Sequence, residues 1–170
     1  MSAVSAVAQP PAAQAALLEH ALAPIQPQLQ AVTDRLLWVL SDPVARRVVY
    51  LITAGGKRLR PALVLLTGAL GPSPDRRALI DTAAAIELIH TATLVHDDII
   101  DQSTLRRRQP TFHRRWGAER ALLMGDYLYA TAIDIFNRHG SHATVDVVTR
   151  TTVGMAHGEL MQVLMTPEAR

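Results

Sequence analysis

The chain has 170 residues, 49% of them hydrophobic, 19% charged and only 4% aromatic, enough apolar material to build one core. Seventeen basic residues against fifteen acidic ones leave a net charge of +2, too weak a global field to mark a nucleic-acid binder, so local clusters decide more than the total. The sequence holds no cysteine, which excludes disulfides and thiolate chemistry and fits a reducing, cytoplasmic setting.

Abundant alanine and leucine with few aromatics suit helices packed on helices better than strands, and an all-α protein with a single domain over residues 1–170 is expected. The N-terminal "MSAVSAVAQPPAAQAALLEH" lacks the basic stretch of a secretory signal and is broken by Pro10 and Pro11, so residues 1–11 are expected to be a disordered tail. From Ala12 onward leucines and alanines recur at helical spacing, with breaks or kinks at Pro24 and Pro27. In "SDPVARRVVYLITAGG", Ser41 or Asp42 reads as a helix cap, Pro43 as first-turn proline, and Gly55 and Gly56 as a stop. "LRPALVLLTGALG" predicts a helix restarting after Pro61. "GPSPD" is turn chemistry leading into a long helix over about 74 to 105, and further helices are predicted over about 116 to 139 and 142 to 165. No strand and no repeat is expected. Glu87 and His90 interrupt the longest apolar run, so no transmembrane segment is predicted.

The chemistry concentrates in "HTATLVHDDIIDQSTLRRR", residues 90 to 108. On a helix Asp97 and Asp101 stand one turn apart, with Asp98 roughly 100° round from Asp97, so all three carboxylates are expected to converge. Like charges at that spacing repel, which calls for a cation. Mg²⁺ suits carboxylate oxygens, takes one or two of them, and fills its remaining positions with water and substrate phosphate. Arg106, Arg107 and Arg108 follow where the helix should end, and guanidinium groups grip phosphate oxygens two at a time. "AGGKRLRP" adds Lys57, Arg58 and Arg60 beside glycines that admit a ligand to the backbone, though without the spacing of a nucleotide-binding P-loop. His90 lies within roughly 20° of the face of Asp97 and about 10 Å along the axis. Taken singly, each feature has a plainer reading: a solvated acidic patch, a charge run or nucleic-acid contact over "RRRQPTFHRR", a core histidine.

Together and in this order, "GGKRLRP", "HTATLVHDDIID" and "LRRR" resemble the trans-isoprenyl diphosphate synthases, the polyprenyl synthetase family, with "WGAERALLMGDYLYATA" and "GMAHGELMQV" similar to its following helices. The resemblance runs over residues 55 to 162. It implies an isoprenoid (terpenoid) synthase fold, antiparallel helices around a central cavity. It also implies condensation of isopentenyl diphosphate with an allylic prenyl diphosphate, in the manner of long-chain polyprenyl diphosphate synthases. By the same resemblance Asp97 and Asp101 bind Mg²⁺ with Asp98 in support, Arg106 meets the allylic diphosphate, and Arg107, Lys57, Arg60 and His90 surround isopentenyl diphosphate. Glu159 and Gln162 fall in a motif near the metal. Small residues at Ala92 and Thr93 imply an open cavity floor and long products, with Tyr127, Tyr129 or Phe136 as a deeper floor.

Two departures stand out. Arg108 occupies a position where the family usually has glycine, and the resemblance ends before the family's second aspartate-rich motif. The chain is therefore expected to be the N-terminal part of such a synthase, working as a homodimer or with a complementary synthase chain. The alternative is a non-catalytic interaction subunit. Neither nucleic acid nor a membrane span enters the expected partners.

Overall fold

The computed structural model describes residues 12–72 and 75–165; the tail expected over residues 1–11 lies outside them. Eight α-helices carry the described chain: α1 Ala12–Leu22, α2 Gln26–Val39, α3 Val49–Thr53, α4 Leu59–Gly68, α5 Arg76–Ile100, α6 Phe112–Trp116, α7 Ala118–His139 and α8 His142–Met165. Pro24 and Pro27 act as the sequence predicts, whereas Pro43 lies in a turn and not in the first turn of a helix. Pro24 opens a 3-10 turn, Ala23–Ile25, and Pro27 sits at the start of α2, where the missing N–H has no partner to lose. Asp42 accepts hydrogen bonds from the Val44 and Ala45 amides at 2.8 and 3.3 Å, leading into a second 3-10 turn, Ala45–Val48, ahead of α3. The helix expected after Pro61 begins two residues earlier, at Leu59, since proline is tolerated in a first turn.

The centre of the fold is α5. Asp75 caps it, accepting from the amides of Arg77 and Ala78 at 2.9 and 3.2 Å, which supplies orphan donors with an acceptor at the positive end of the helix. It runs antiparallel to α7: His96 near its end meets Leu122 and Gly125, while Asp81 near its start meets His139. Small residues, Ala84, Ala85, Ala92, Ala121 and Ala132, are buried along the two helices, allowing close approach. Leu36 of α2, Leu88 of α5 and Leu128 and Phe136 of α7 are fully covered, each worth about 1.5–3 kcal/mol relative to exposure.

By length and composition α5 is also apolar enough to cross a membrane, despite Glu87 and His90, but 56% of that stretch is buried against the other helices. Burial, which the bare sequence does not display, separates a core helix from a span. At the other extreme stands α8, where Val148 is the only buried residue and Val153, Leu160, Val163 and Leu164 are exposed.

The sequence reading erred at the end of α5. The helix stops at Ile100, not near 105, in a Schellman arrangement: Gln102 has φ 52°, its amide bonds the Ile99 carbonyl at 3.2 Å, and the Ser103 amide bonds the Asp98 carbonyl at 3.0 Å. A short antiparallel hairpin follows, β1 Leu105–Arg106 and β2 Gln109–Pro110, where no strand was expected. Strands of two residues leave no alternating pattern to read. Their connection is a two-residue turn with both central residues left-handed, Arg107 at φ 50° and Arg108 at φ 65°, the geometry for which Asn-Gly is the usual signal.

Arg108 is exposed and forms no ion pair among the described residues, so its left-handed backbone is uncompensated. Arg108→Gly is therefore expected to stabilise the chain by about 0.5–1 kcal/mol, the left-handed penalty less the entropy glycine loses. A higher urea midpoint with unchanged slope would register it.

Candidate functional site

The two arginines of the hairpin are placed by different anchors. Arg106 donates from Nε to both carboxylate oxygens of Asp98 at 2.9 and 3.0 Å and from Nη2 to Oδ1 at 2.8 Å. Asp98 is fully buried. The expectation that all three aspartates converge on one cation is thus corrected: Asp98 turns inward and fixes Arg106, while Asp97 and Asp101 face outward. The early stop of α5 makes this possible, because in a continuing helix Arg106 would stand eight residues, about 12 Å, beyond Asp98. Arg107 donates to the Gly55 carbonyl of the glycine loop. Gly56 sits at φ 150°, a conformation that strains any other residue, and a Cβ there would lie 2.9 Å from the Arg107 guanidinium, which would have to shift. Tyr50 of α3 donates to the Pro110 carbonyl at 3.0 Å under the Arg115 guanidinium, 4.0 Å from the ring. Burial pushes the Tyr50 phenol up to about 12.

The glycine loop has its own brace. Arg58 donates to Glu87 of α5 at 2.8 Å and to the Ile52 carbonyl, leaving its neighbours Lys57 and Arg60 exposed. His90, one turn beyond Glu87, shares a recess with Ala54, Glu87, Arg106 and Arg107. Burial first, and then the positive field of Arg60, with Arg107 and Arg106 adding to it, lower its pKa. The imidazole is therefore neutral at pH 7, able to hydrogen-bond an anion without being a fixed cation. The recess holds about 10 Å³, room for about one water.

Opposite charges lie next to one another on the outward face of α5. The Asp97 carboxyl is raised above its usual range by burial, then by the charges of Glu159 and Asp101, with Arg106 opposing. The charge of Glu159 on α8 thus reaches Asp97. Among the described residues no group of three acidic or histidine side chains is close enough to hold a metal by itself. The pair Asp97 and Asp101 still fits Mg²⁺, which takes one or two carboxylates, because crowded acid with too little opposing charge is what a cation relieves. Lys57 does not line the recess, and Gln162 is exposed on α8.

Ala92 is 3% exposed within the core and lies about 140° round the helix from Asp97, so it is packed rather than lining an open floor. Thr93, about 40° from Asp97, is the half-buried residue on the outward face, its hydroxyl donating to the His90 carbonyl at 2.9 Å. Phe136 is core, and Tyr127 borders a separate apolar recess with Phe112 and Trp116.

The sequence reading did not foresee the Arg58–Glu87 brace, the inward turn of Asp98 or the Tyr50 anchor. Glu87 did carry a signal: a lone acid inside "AAAIELIH" has to find a partner when that helix is buried.

Comparison with known proteins places these features in context. The nonaprenyl diphosphate synthase of Mycobacterium tuberculosis is 36% identical over 141 residues, 83% of this chain and 42% of that protein. The heptaprenyl diphosphate synthase component 2 of Geobacillus stearothermophilus is 39% identical over 121 residues, 71% of this chain and 38% of that protein. Among solved structures, a polyprenyl synthase from Caulobacter crescentus complexed with calcium and isoprenyl diphosphate superposes with TM-score 0.80 at 32% identity, covering 86% of this chain and 45% of that one. The geranylgeranyl pyrophosphate synthase of Lactobacillus brevis gives TM-score 0.81 at 29% identity over 89% and 48%. The chain spans less than half the length of these relatives, and over that span it has the all-α fold of an isoprenoid synthase. With the polyprenyl synthetase family model matching residues 42–170, the chain belongs to the polyprenyl synthetase family.

Proposed function

We propose that this chain carries the substrate-gripping part of a trans-prenyltransferase that condenses isopentenyl diphosphate with an allylic prenyl diphosphate. The observation that supports it best is a charge arrangement: the outward pair Asp97 and Asp101 stands beside Arg106, whose other neighbours Arg107, Arg60 and His90 share a single positive field. Asp97 and Asp101 would hold Mg²⁺, which when bound offsets the negative charge that grows on diphosphate as the allylic C–O bond breaks. Arg106, held by Asp98, presents its remaining N–H groups to the same diphosphate. Lys57, Arg60, Arg107 and His90 hold the second diphosphate, His90 as a neutral hydrogen-bonding group. Such fixed donors lower a barrier when they are aimed at charge that develops during the reaction. Glu159 and Gln162 of α8 would add to the metal site.

Substrate handling beyond these groups falls to residues or a partner outside the chain, and the exposed apolar side chains of α8 suit a second copy or a complementary synthase chain. That a relative is named a component 2 supports the latter. A non-catalytic interaction subunit is the second reading, favoured by the same exposed α8. The cysteine-free sequence agrees with a cytoplasmic setting.

Incubating the chain with radiolabelled isopentenyl diphosphate, farnesyl diphosphate and Mg²⁺, alone and with the complementary part of a relative, tests the proposal. Little product is expected from the chain alone, and chain elongation from the mixture that Asp97→Ala abolishes. Elongation in the mixture unaffected by Asp97→Ala would contradict it.

A further inference from the structure

We infer that Arg58 and Glu87 are positioning residues for the isopentenyl diphosphate site, holding Lys57 and Arg60 where an anion can use them without touching the anion themselves. The inference rests on the diphosphate reading above and names a pair that reading does not use. Arg58 sits between the two exposed cations, yet its side chain is only 18% exposed and that of Glu87 only 8%. Its guanidinium spans two elements, donating to Glu87 of α5 and to the carbonyl of Ile52 in α3. Its backbone is left-handed at φ 47°, a conformation costly for a residue with a Cβ, and it is the residue from which α4 starts. A loop containing Gly55 and Gly56, both at positive φ, has little stiffness of its own. The guanidinium fork pins its far end to the core helix one turn before His90, while Arg107 on the Gly55 carbonyl pins its near end. Lys57 lies between the two pins.

The charge of Glu87 provides a discriminating test. Glu87→Gln removes a negative charge beside the recess, so a purely electrostatic role predicts tighter anion binding, whereas a positioning role predicts weaker. Calorimetric titration of the chain with inorganic pyrophosphate should show Glu87→Gln and Arg58→Gln each weakening binding roughly tenfold, the scale on which supporting partners of a ligand set act. Arg58→Lys, which keeps the charge but cannot span both acceptors, should fall between them and the wild type. All comparisons are made on variants whose melting curves show them folded at the titration temperature. Should Arg58→Gln fail to fold, Glu87→Gln and Arg58→Lys carry the test. Unchanged or tighter binding by folded Glu87→Gln, with Lys57→Ala still weakening it, overturns the inference and leaves the diphosphate reading intact. Binding that Lys57→Ala and Arg60→Ala do not weaken, or no binding at all, overturns both.

Discussion

Asp98→Ala is expected to destabilise the chain by about 3 kcal/mol, because it removes one partner of a buried ion pair and leaves the other uncompensated. The three hydrogen bonds from Arg106 to Asp98 are also what returns the chain from the end of α5 into the hairpin. Their loss should therefore loosen residues 101–110 together. Arg106 is 28% exposed at its side chain and can swing toward water, which keeps the cost at the lower end of that range. The neighbouring acids should behave oppositely. Folding raises the pKa of Asp97, so at pH values above the ordinary aspartate range the folded state carries a charge that the unfolded state bears more easily, and ionised Asp97 subtracts from stability. Asp97→Asn should consequently leave the metal-free chain at pH 7 no less stable than wild type. Urea unfolding of the two variants side by side measures the contrast; equal losses for both would mean that Asp98 is not the inward member.

The second large effect is expected at Gly125. A Cβ there would lie 2.1 Å from Nε2 of His96, where the imidazole bridges α5 to the Leu122 carbonyl at 3.1 Å and stands 3.6 Å from Asp126. Gly125→Val forces the ring out or the helices apart, at a cost of about 1–3 kcal/mol for overpacking plus about 1 kcal/mol for the lost hydrogen bond. Because His96 precedes Asp97, the displacement should also reach the acidic face. Combining Gly125→Val with His96→Ala should recover part of the loss, since the ring that clashes is gone. A double-mutant cycle with no coupling would show that His96 does not occupy that space.

How much of this was legible in the sequence depends on the range of the interactions involved. The helix order, the proline breaks, the Asp42 turn and the juxtaposition of basic and acidic motifs follow from local chemistry or helical spacing, and they could be read directly. Identical letters with different fates could not. Asp97 and Asp98 are adjacent in sequence, but one stays half-exposed and the other is sealed in the core by an arginine eight residues on. That choice depends on where α5 stops, and it stops at Ile100, two residues before Gln102, whose left-handed conformation glycine would have advertised. Ala92 misled in a similar way: smallness reads equally as an open floor or as close packing against a neighbouring helix, and only the position of α7 decides. Arg58 reads with Lys57 and Arg60 as one basic cluster, because its partner Glu87 lies twenty-nine residues away.

In the function proposed above, the outward carboxylates Asp97 and Asp101 and the flanking cations form one metal-dependent diphosphate site. Titrating the chain with a non-hydrolysable farnesyl thiodiphosphate, with and without Mg²⁺, tests it most directly. Binding is expected to strengthen with Mg²⁺, to lose this dependence in the doubly substituted Asp97→Ala, Asp101→Ala chain, and to weaken in Arg106→Ala. Affinity indifferent to Mg²⁺ and to both carboxylates would contradict it.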